Sequence, residues 1–208
     1  MTHKEHLYVR GIIPKGGIAI VGSRTPPAEA AEFAYQLAFR IKKPVVAGLA
    51  PGIDVAAHRG ALAAGVPTVA FVGYGFGRTD PPEHEELERA IVAAGGAVAT
   101  LLPLGTPATP ESRIERDRLQ AEHAAAVVLV CSNRNGGAMH TLRFARELGV
   151  AQFAVTPPDD SLGSEDWAGN LKAIEDGATP LPFDVDGACE LLDREDLFAG
   201  NGGDVVAP

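Results

Sequence analysis

The sequence predicts a doubly wound α/β fold, in which a mostly parallel sheet lies between two layers of helices as a three-layer sandwich. Short apolar runs alternate with longer alanine-rich stretches of helical character, the order typical of βαβ units. The short runs are apolar throughout and do not alternate with polar residues, as expected of strands that helices cover on both faces. With 208 residues and 46% hydrophobic content, the chain can bury such a core without disulfides or metals.

Strands and helices are predicted in alternation along the chain. The strands are expected at Gly17–Val21, Pro44–Ala47, Thr68–Val72, Ala97–Thr100, Ala126–Cys131 and Ala151–Val155. The helices are expected at Ala28–Lys42, Asp54–Ala64, Glu83–Ala94, Ser112–Ala124 and Ala138–Leu148. Residues 1–183 are predicted to form one domain. Residues 184–208 are predicted to be an acidic, partly disordered extension, because they are rich in acids and end in GNGGDVVAP.

Composition and charge limit the classes of function. The formal net charge of −9 disfavours a surface that coats itself with nucleic acid, although a local basic site is compatible with it. The two cysteines have no spacing typical of a zinc site or disulfide framework, and Cys131 is expected in the core. No apolar run is long enough to span a membrane, and the first residues have no signal-peptide pattern, so a cytoplasmic protein is expected.

Glycine-bearing loops follow four of the predicted strands, where ligands bind in open α/β sheets. Their backbone N–H groups could surround an anion, and Arg24 could add a planar fork of donors to a phosphate. A plain turn is the alternative for each loop taken alone. Because four loops agree, we predict one anion-binding crevice at this edge of the sheet. The loop residues concerned are Gly22, Ser23, Arg24, Gly48, Gly52, Gly73, Gly75, Gly136 and Gly137, with Thr141 in the helix that follows.

Asp54 and His58 lie four residues apart and therefore on one face of a predicted helix. They could be architectural, with Asp54 capping the helix and His58 bonded to a neighbouring loop. A metal pair is disfavoured because no third ligand has suitable spacing. A catalytic pair would need a nucleophile or second base that the sequence does not indicate. The architectural interpretation is preferred, and no cofactor is expected.

Charged residues are unevenly distributed. Arg113, Arg116 and Arg118 fall on one predicted helix, either as part of a basic site or as a solvated surface with salt bridges. The segment Thr79–Glu88 carries five acids and no Lys or Arg, so a nucleic-acid path is expected to avoid it. The fingerprint G-x-G-x-x-G is absent after Gly17–Val21, which disfavours binding of NAD.

A string of motifs resembles a known family. In order they are LYVRG, IAIVGSR, VVAGLAPGIDVAAH, GALAAGVPTVAFVGYGF, RDRLQAEHAAAVVLV, GGAMHTLRFA and AGNLKAIEDGA. Together they are similar to the Rossmann-like domain of the DNA processing protein A (DprA, or Smf) family. The resemblance covers residues 7–182.

The resemblance implies that the chain binds single-stranded DNA as a homodimer and loads the recombinase RecA onto DNA during natural transformation. It implies that Arg24, Arg116 and Arg118 contact DNA phosphates, and that Gly48, Gly52, Asp54 and His58 shape the floor of the pocket. Departures from the family pattern are Asp80-Pro81-Pro82-Glu83 after a strand, Asp117 between the two arginines, and Asn135-Gly136-Gly137 before a helix.

Two other functions remain open. The same superfamily includes proteins that bind nucleotides or ligands of the ADP-ribose type, and an acidic, small protein suits a small phosphorylated ligand. It also includes the LOG-type phosphoribohydrolases, whose PGGxGTxxE motif would fall on residues 135–144. Thr141 fits that motif, but Phe144 stands at the position of the glutamate that the chemistry needs. A non-enzymatic role is therefore expected.

Overall fold

The computed structural model describes residues 6–194 and contains one eight-stranded sheet. The strands are β1 (Tyr8–Gly11), β2 (Gly17–Val21), β3 (Val45–Ala47), β4 (Thr68–Phe71), β5 (Ala97–Thr100), β6 (Ala124–Leu129), β7 (Ala151–Val155) and β8 (Thr179–Leu181). The helices are α1 (Ala28–Arg40), α2 (Ile53–Ala63), α3 (Glu85–Ala93), α4 (Pro110–Glu122), α5 (Ala138–Leu148), α6 (Ala168–Glu175) and α7 (Val185–Leu192).

The sheet has the strand order β1-β5-β4-β3-β2-β6-β7-β8. All neighbouring strands are parallel except β1, which runs antiparallel to β5 at one edge. From β2 the chain builds outward through β3, β4 and β5, and then returns to place β6 on the other side of β2. This reversal between β2 and β6 is the topological switch point, where open α/β sheets bind their ligands.

Alternate residues of each buried strand face opposite helix layers, as the two-residue period of a strand requires. Ile18 and Ile20 of β2 pack with α1, α2 and α7, whereas Ala19 and Val21 pack with α4, α5 and α6. A third cluster lies around Ile91 of α3. The expected α/β fold, a mostly parallel sheet between two helical layers, is confirmed.

Every predicted strand and helix is present, with ends within two residues of the expected ones. The sequence pattern missed β1, β8, α6 and α7. β1 is mostly exposed and β8 is a three-residue edge strand that contains Pro180, so neither has the long apolar run typical of the central strands. Cys131 is fully buried, which confirms its expected place in the core.

The segment expected to be an acidic extension begins with helix α7. Ala188 and Leu192 are fully buried against the layer that contains α1, so residues 185–192 pack with the domain despite their acids. The expected end of the domain at residue 183 therefore differs from the structure, in which this packing continues to residue 192. Residues 195–208 lie outside the described part of the chain. Within residues 6–194, no helix combines the length and apolarity that crossing a bilayer would require.

Candidate functional site

Two adjoining cavities lie beyond the carboxyl ends of β2, β3, β4 and β6. The larger, about 450 Å³, lies between α4 and the loops that follow β2 and β6. The smaller, about 230 Å³, lies against the loops that follow β3 and β4. We call the two cavities together the crevice, and the residues that line both of them are Arg24, Ala50, Arg113 and Arg116. The crevice therefore lies at the switch point, as expected of a ligand site in this fold.

Helix α4 forms one wall of the crevice. Thr109 caps its first turn by accepting a hydrogen bond from Ser112 N (3.1 Å), and Pro110 occupies the first helical position. The Ser112 hydroxyl also donates to the carbonyl of Gly73 (2.6 Å), which ties the helix to the loop after β4. The cap and this bond fix the start of α4, and with it the direction in which its side chains point.

The polar side chains of α4 that reach the crevice follow helical spacing: Arg113, Arg116, Asp117 and Gln120. Arg118 lies two residues from Arg116 and so on a different face, where its Nε pairs with Glu122 (2.8 Å). The structure therefore does not bring Arg118 into the crevice. The resemblance placed both arginines in one pocket, but the 3.6-residue period of a helix separates them.

Arg116 is held between two carboxylates. Its Nη1 lies 3.3 Å from Asp54 Oδ2 and its Nε lies 3.0 Å from Asp117 Oδ1, while its side chain is only 12% exposed. Burial acts to lower the pKa of the Arg116 guanidinium, but Asp117 and Asp54 together raise it above its ordinary value. Arg116 is therefore a permanent cation fixed in position on the wall of the crevice.

Asp117 is buried, and burial raises the pKa of its carboxyl to about 6, although Arg116 and Arg24 act in the opposite direction. Gln120 Nε2 donates to Asp117 Oδ1 (3.1 Å), and the Gln120 amide oxygen is buried without a hydrogen-bond partner. The Asp117 carboxyl therefore gains or loses its proton near pH 6. Protonation of Asp117 makes the charge of the crevice more positive.

We expect Asp117→Asn to change the pH dependence of stability. Because the pKa of Asp117 is higher in the folded chain than its ordinary value of 3.8, the fold favours the proton, and this contribution is lost as the pH rises through about 6. The free energy of unfolding of the wild type, minus that of the variant, should fall by up to about 3 kcal/mol between pH 4 and pH 7.5. Urea unfolding across this range measures the difference, and a difference independent of pH would contradict the assignment.

Arg24 is the exposed arginine of the crevice. It lies in the loop that follows β2 and lines both cavities. Arg113 pairs with Asp80 (2.7 Å) and Arg116 with two aspartates, whereas none of the ion pairs found in residues 6–194 engages Arg24. Arg24 is thus the crevice arginine whose guanidinium is available to an external anion.

Buried polar side chains hold the loop after β3 in place. Burial lowers the pKa of His58, whose neutral ring donates from Nε2 to the Gly48 carbonyl (2.6 Å), while its Nδ1 lies 2.8 Å from the Thr68 hydroxyl. His84 Nδ1 contacts the Leu49 carbonyl at 2.8 Å. His58 is therefore architectural, as predicted, with both ring nitrogens engaged. The contribution of His84 was missed because it comes from a distant segment.

Asp54 was expected to cap helix α2, but it does not do so. Gly52 is the N-terminal cap of α2, and Asp54 lies inside the first turn without capping it. The Asp54 carboxylate instead accepts from Ala50 N (3.3 Å) and from Arg116 (3.3 Å), so it connects the loop after β3 to helix α4. Asp54 therefore positions Arg116.

Two glycines allow close approach of the chain at this loop. A Cβ at Gly48 would lie 1.3 Å from Arg116 Nη1, so only glycine leaves room for the guanidinium as it is placed. Gly52 has a φ of 82°, and a Cβ there would lie 2.4 Å from the Ser23 carbonyl oxygen. These contacts hold the loops after β2 and β3 together beside Arg24.

The loop after β6 forms the opposite wall. It contributes Gly136 and Gly137, and α5 then begins with Thr141 and His140 facing the larger cavity. The first N–H groups of a helix favour anions, but Met139 N and His140 N already donate to the carbonyls of Gly136 (3.0 Å) and Gly137 (2.9 Å). The fully buried Asn170 holds this loop by accepting from Ser132 N (2.9 Å) and donating to three carbonyls at the ends of β6 and β7. Asn170 lies in the AGN motif, whose role the sequence did not indicate.

Most of the predicted site residues thus come together, and five do not line the crevice. Nine line it: Gly22, Ser23, Arg24, Asp54, Gly73, Arg116, Gly136, Gly137 and Thr141. Gly48, Gly52 and His58 support it from behind, and Gly75 instead packs against the loop after β5, where its N–H donates to Thr106 O (2.8 Å). Arg118 lies outside, and Arg113 is the crevice arginine not included among the predicted site residues.

The fold and the crevice define a Rossmann-like α/β protein with an arginine-lined crevice at its switch point. The chain belongs to the DNA recombination-mediator protein A family, whose model matches residues 2–192. It is 29% identical over 198 residues to protein Smf of Synechocystis, covering 91% of this chain and 48% of that protein. It is 37% identical over 149 residues to a putative DNA processing protein DprA of Mycobacterium tuberculosis, covering 70% of this chain and 38% of that protein. The chain thus spans about half or less of these relatives.

Solved structures agree with this assignment. DNA processing protein A of Streptococcus pneumoniae superposes with a TM-score of 0.78 at 26% identity, over 90% of this chain and 65% of that one. The Helicobacter pylori protein of the same name, described for its single-stranded DNA binding mode, has a TM-score of 0.77 at 20% identity, covering 89% and 86%. A molybdenum cofactor carrier protein of Chlamydomonas reinhardtii shares the fold alone, with a TM-score of 0.55 at 17% identity, covering 89% and 99%.

Proposed function

We propose that the chain binds single-stranded DNA in the crevice and acts in DNA uptake and recombination. The observation that carries this proposal is Arg24, an arginine without an internal partner at the switch point. It stands beside the fixed cation of Arg116 and opposite the start of α5. Family membership supports the choice of ligand, since the Helicobacter pylori relative binds single-stranded DNA.

The charge of the crevice sets how strongly it can bind. Three arginines line it with three aspartates, and two of these arginines are neutralised within the protein. Binding therefore depends on Arg24 and on backbone N–H groups more than on a large positive field, and it is consistent with a net charge of −9. We propose that a strand binds selectively in the crevice, without non-specific binding over the rest of the surface.

Replacing Arg24 by alanine tests the proposal. We expect weaker binding of a fluorescent oligothymidylate, and a plot of log K against log salt that is less steep by about 0.7, the contribution of one phosphate contact on a single strand. Arg59→Ala, which removes an exposed arginine of α2 that lines neither cavity, is the matched control. If Arg24→Ala and Arg59→Ala bind alike, Arg24 is not a phosphate contact. If the wild type does not bind even at low salt, the proposed function is wrong.

We extend the proposal to two partners that the family resemblance implies. The chain is proposed to form a homodimer and to load RecA onto the bound strand, inside the cytoplasm. Sedimentation at several concentrations tests the dimer. RecA filament formation on strands already covered by a single-strand binding protein tests loading, and a rate unchanged by the chain would contradict it.

A nucleotide or an ADP-ribose-type ligand is the second candidate. The larger cavity, about 450 Å³, falls within the usual range for small-ligand sites, and its charge balance suits one phosphate group. Thermal unfolding with a panel of nucleotides separates this candidate from the first. Stabilisation by a nucleotide without binding of an oligonucleotide would favour it, and no shift with any compound would remove its support.

A phosphoribohydrolase of the LOG type has less support. Phe144, at the position of the required glutamate, does not line the crevice; it packs into the core while Arg143 stacks on its ring at 4.3 Å. We therefore propose a role without catalysis. Release of a free base from a nucleoside monophosphate would contradict this part of the proposal.

A further inference from the structure

A wide groove continues from the crevice across the outside of the domain. Its volume is about 810 Å³, and it adjoins the smaller cavity of the crevice through Asp80, Ala108 and Arg113. Three further arginines line it, each from a different element: Arg10 in β1, Arg78 after β4, and Arg89 in α3. We call this surface the arginine groove.

Most of the acidic side chains that line the arginine groove have a partner within the protein. Asp80 pairs with Arg113 at 2.7 Å, and the buried Glu88 accepts a hydrogen bond from the Tyr74 hydroxyl. Of the lining acids, this leaves Glu85 exposed without such a partner. A nucleic-acid path was expected to avoid the segment Thr79–Glu88, but of its three groove-lining acids Asp80 is neutralised by Arg113 and Glu88 is buried, which leaves Glu85 as the exposed carboxylate that is unpaired among the described residues.

The three arginines of the groove are exposed and, within residues 6–194, form no ion pair that would compete with an external anion. No ion pair within the described chain involves Arg10, Arg78 or Arg89. The Arg10 guanidinium lies over the ring of Phe76 at 4.3 Å, which holds it as a flat cationic surface. Such a surface can contact a phosphate at its edge and stack a nucleic-acid base on its open face.

The continuity of the crevice with the groove favours a polymer over a small ligand. A single nucleotide would occupy the larger cavity alone, whereas the successive phosphates of a strand leaving past Arg113 would meet three unpaired arginines. We propose that Arg10, Arg78 and Arg89 form a second anion-binding site, which holds the phosphates flanking the crevice-bound segment of a single nucleic-acid strand. This inference rests on the proposed function and specifies its ligand as a polymer.

The triple variant Arg10→Gln/Arg78→Gln/Arg89→Gln tests the groove. Binding of fluorescent dT4 and dT20 is measured by anisotropy as a function of salt. For dT20 we expect affinity to fall about tenfold or more, and the salt slope to decrease by about 2, from about 0.7 for each of three contacts. Binding of dT4, which is short enough to occupy the crevice alone, should stay within about twofold of the wild type.

The matched control is Arg59→Gln/Arg143→Gln/Arg146→Gln, which removes the same charge from arginines that line neither the crevice nor the groove. Equal dT20 affinities for the two triple variants would contradict the proposed anion-binding site in the arginine groove. A second outcome is that the groove variant loses dT20 binding while Arg24→Ala has no effect. This result would support the anion-binding site in the arginine groove and contradict the role of Arg24 in the crevice. A wild type that binds neither strand would overturn both proposals.

Discussion

Replacing Arg116 by methionine is expected to destabilise the fold by about 3 kcal/mol at pH 8 and to weaken DNA binding about a hundredfold. The methionine keeps much of the side-chain volume but leaves the buried carboxylates of Asp54 and Asp117 without their shared cation. Removing one partner of a buried ion pair typically costs about 3–5 kcal/mol. The loss of binding follows because the carboxylates that Arg116 neutralises would then repel a phosphate in the crevice.

The pH dependence of this effect identifies its cause. Because Arg116 lowers the pKa of Asp117, its removal leaves that pKa above about 6, so at pH 5 Asp117 is protonated, the uncompensated charge is smaller and the loss of stability should shrink. Arg118→Met is the control, because Arg118 is half-exposed and its pair with Glu122 should contribute about 0–1 kcal/mol. Urea unfolding at pH 5 and pH 8 gives the comparison. Equal stability losses for the two variants would contradict the placement of Arg116.

Gly48→Ala is expected to weaken DNA binding at least about tenfold while the fold is retained. The new Cβ would lie 1.3 Å from Arg116 Nη1 and 2.6 Å from Asp54 Oδ2, so the guanidinium must leave its place between the carboxylates. Gly48 has no positive φ, so alanine brings no backbone strain. An arginine that is no longer fixed loses freedom on binding, which lowers affinity.

A double-mutant cycle tests whether Gly48 acts through Arg116. If it does, Gly48→Ala should add little to the loss of binding already caused by Arg116→Met, whereas independent residues would give additive losses. Gly137→Ala is a useful reference for stability, because a Cβ there meets no atom within 4 Å. Additive effects in the cycle would show that Gly48 supports the crevice in another way.

Those features of the fold and of the crevice that depend on local sequence pattern could be predicted from the sequence. Continuous apolar runs identified the central strands, and the glycines that follow them identified the edge of the sheet where the crevice lies. Arg24 could be placed there because it lies in the loop that follows β2. The position of Arg118 could also have been predicted correctly, since residues two apart on a helix do not share a face.

Other features depend on contacts between distant segments and could not be read from local pattern. His84 reaches the Leu49 carbonyl across 35 residues, and Asn170 reaches Ser132 across 38. Strand β1 is stabilised by pairing with β5, which lies some ninety residues later, and its own sequence is mostly exposed. The arginine groove likewise brings together residues of β1, α3 and the loop after β4, which only the folded chain makes neighbours.

A structure of the chain bound to a short oligothymidylate tests the central claim most directly. We expect a phosphate within hydrogen-bond distance of the Arg24 guanidinium, between the Arg116 side chain and the start of α5 at Gly137. A strand bound elsewhere on the surface, with the crevice empty and Arg24 turned into solvent, would contradict the account.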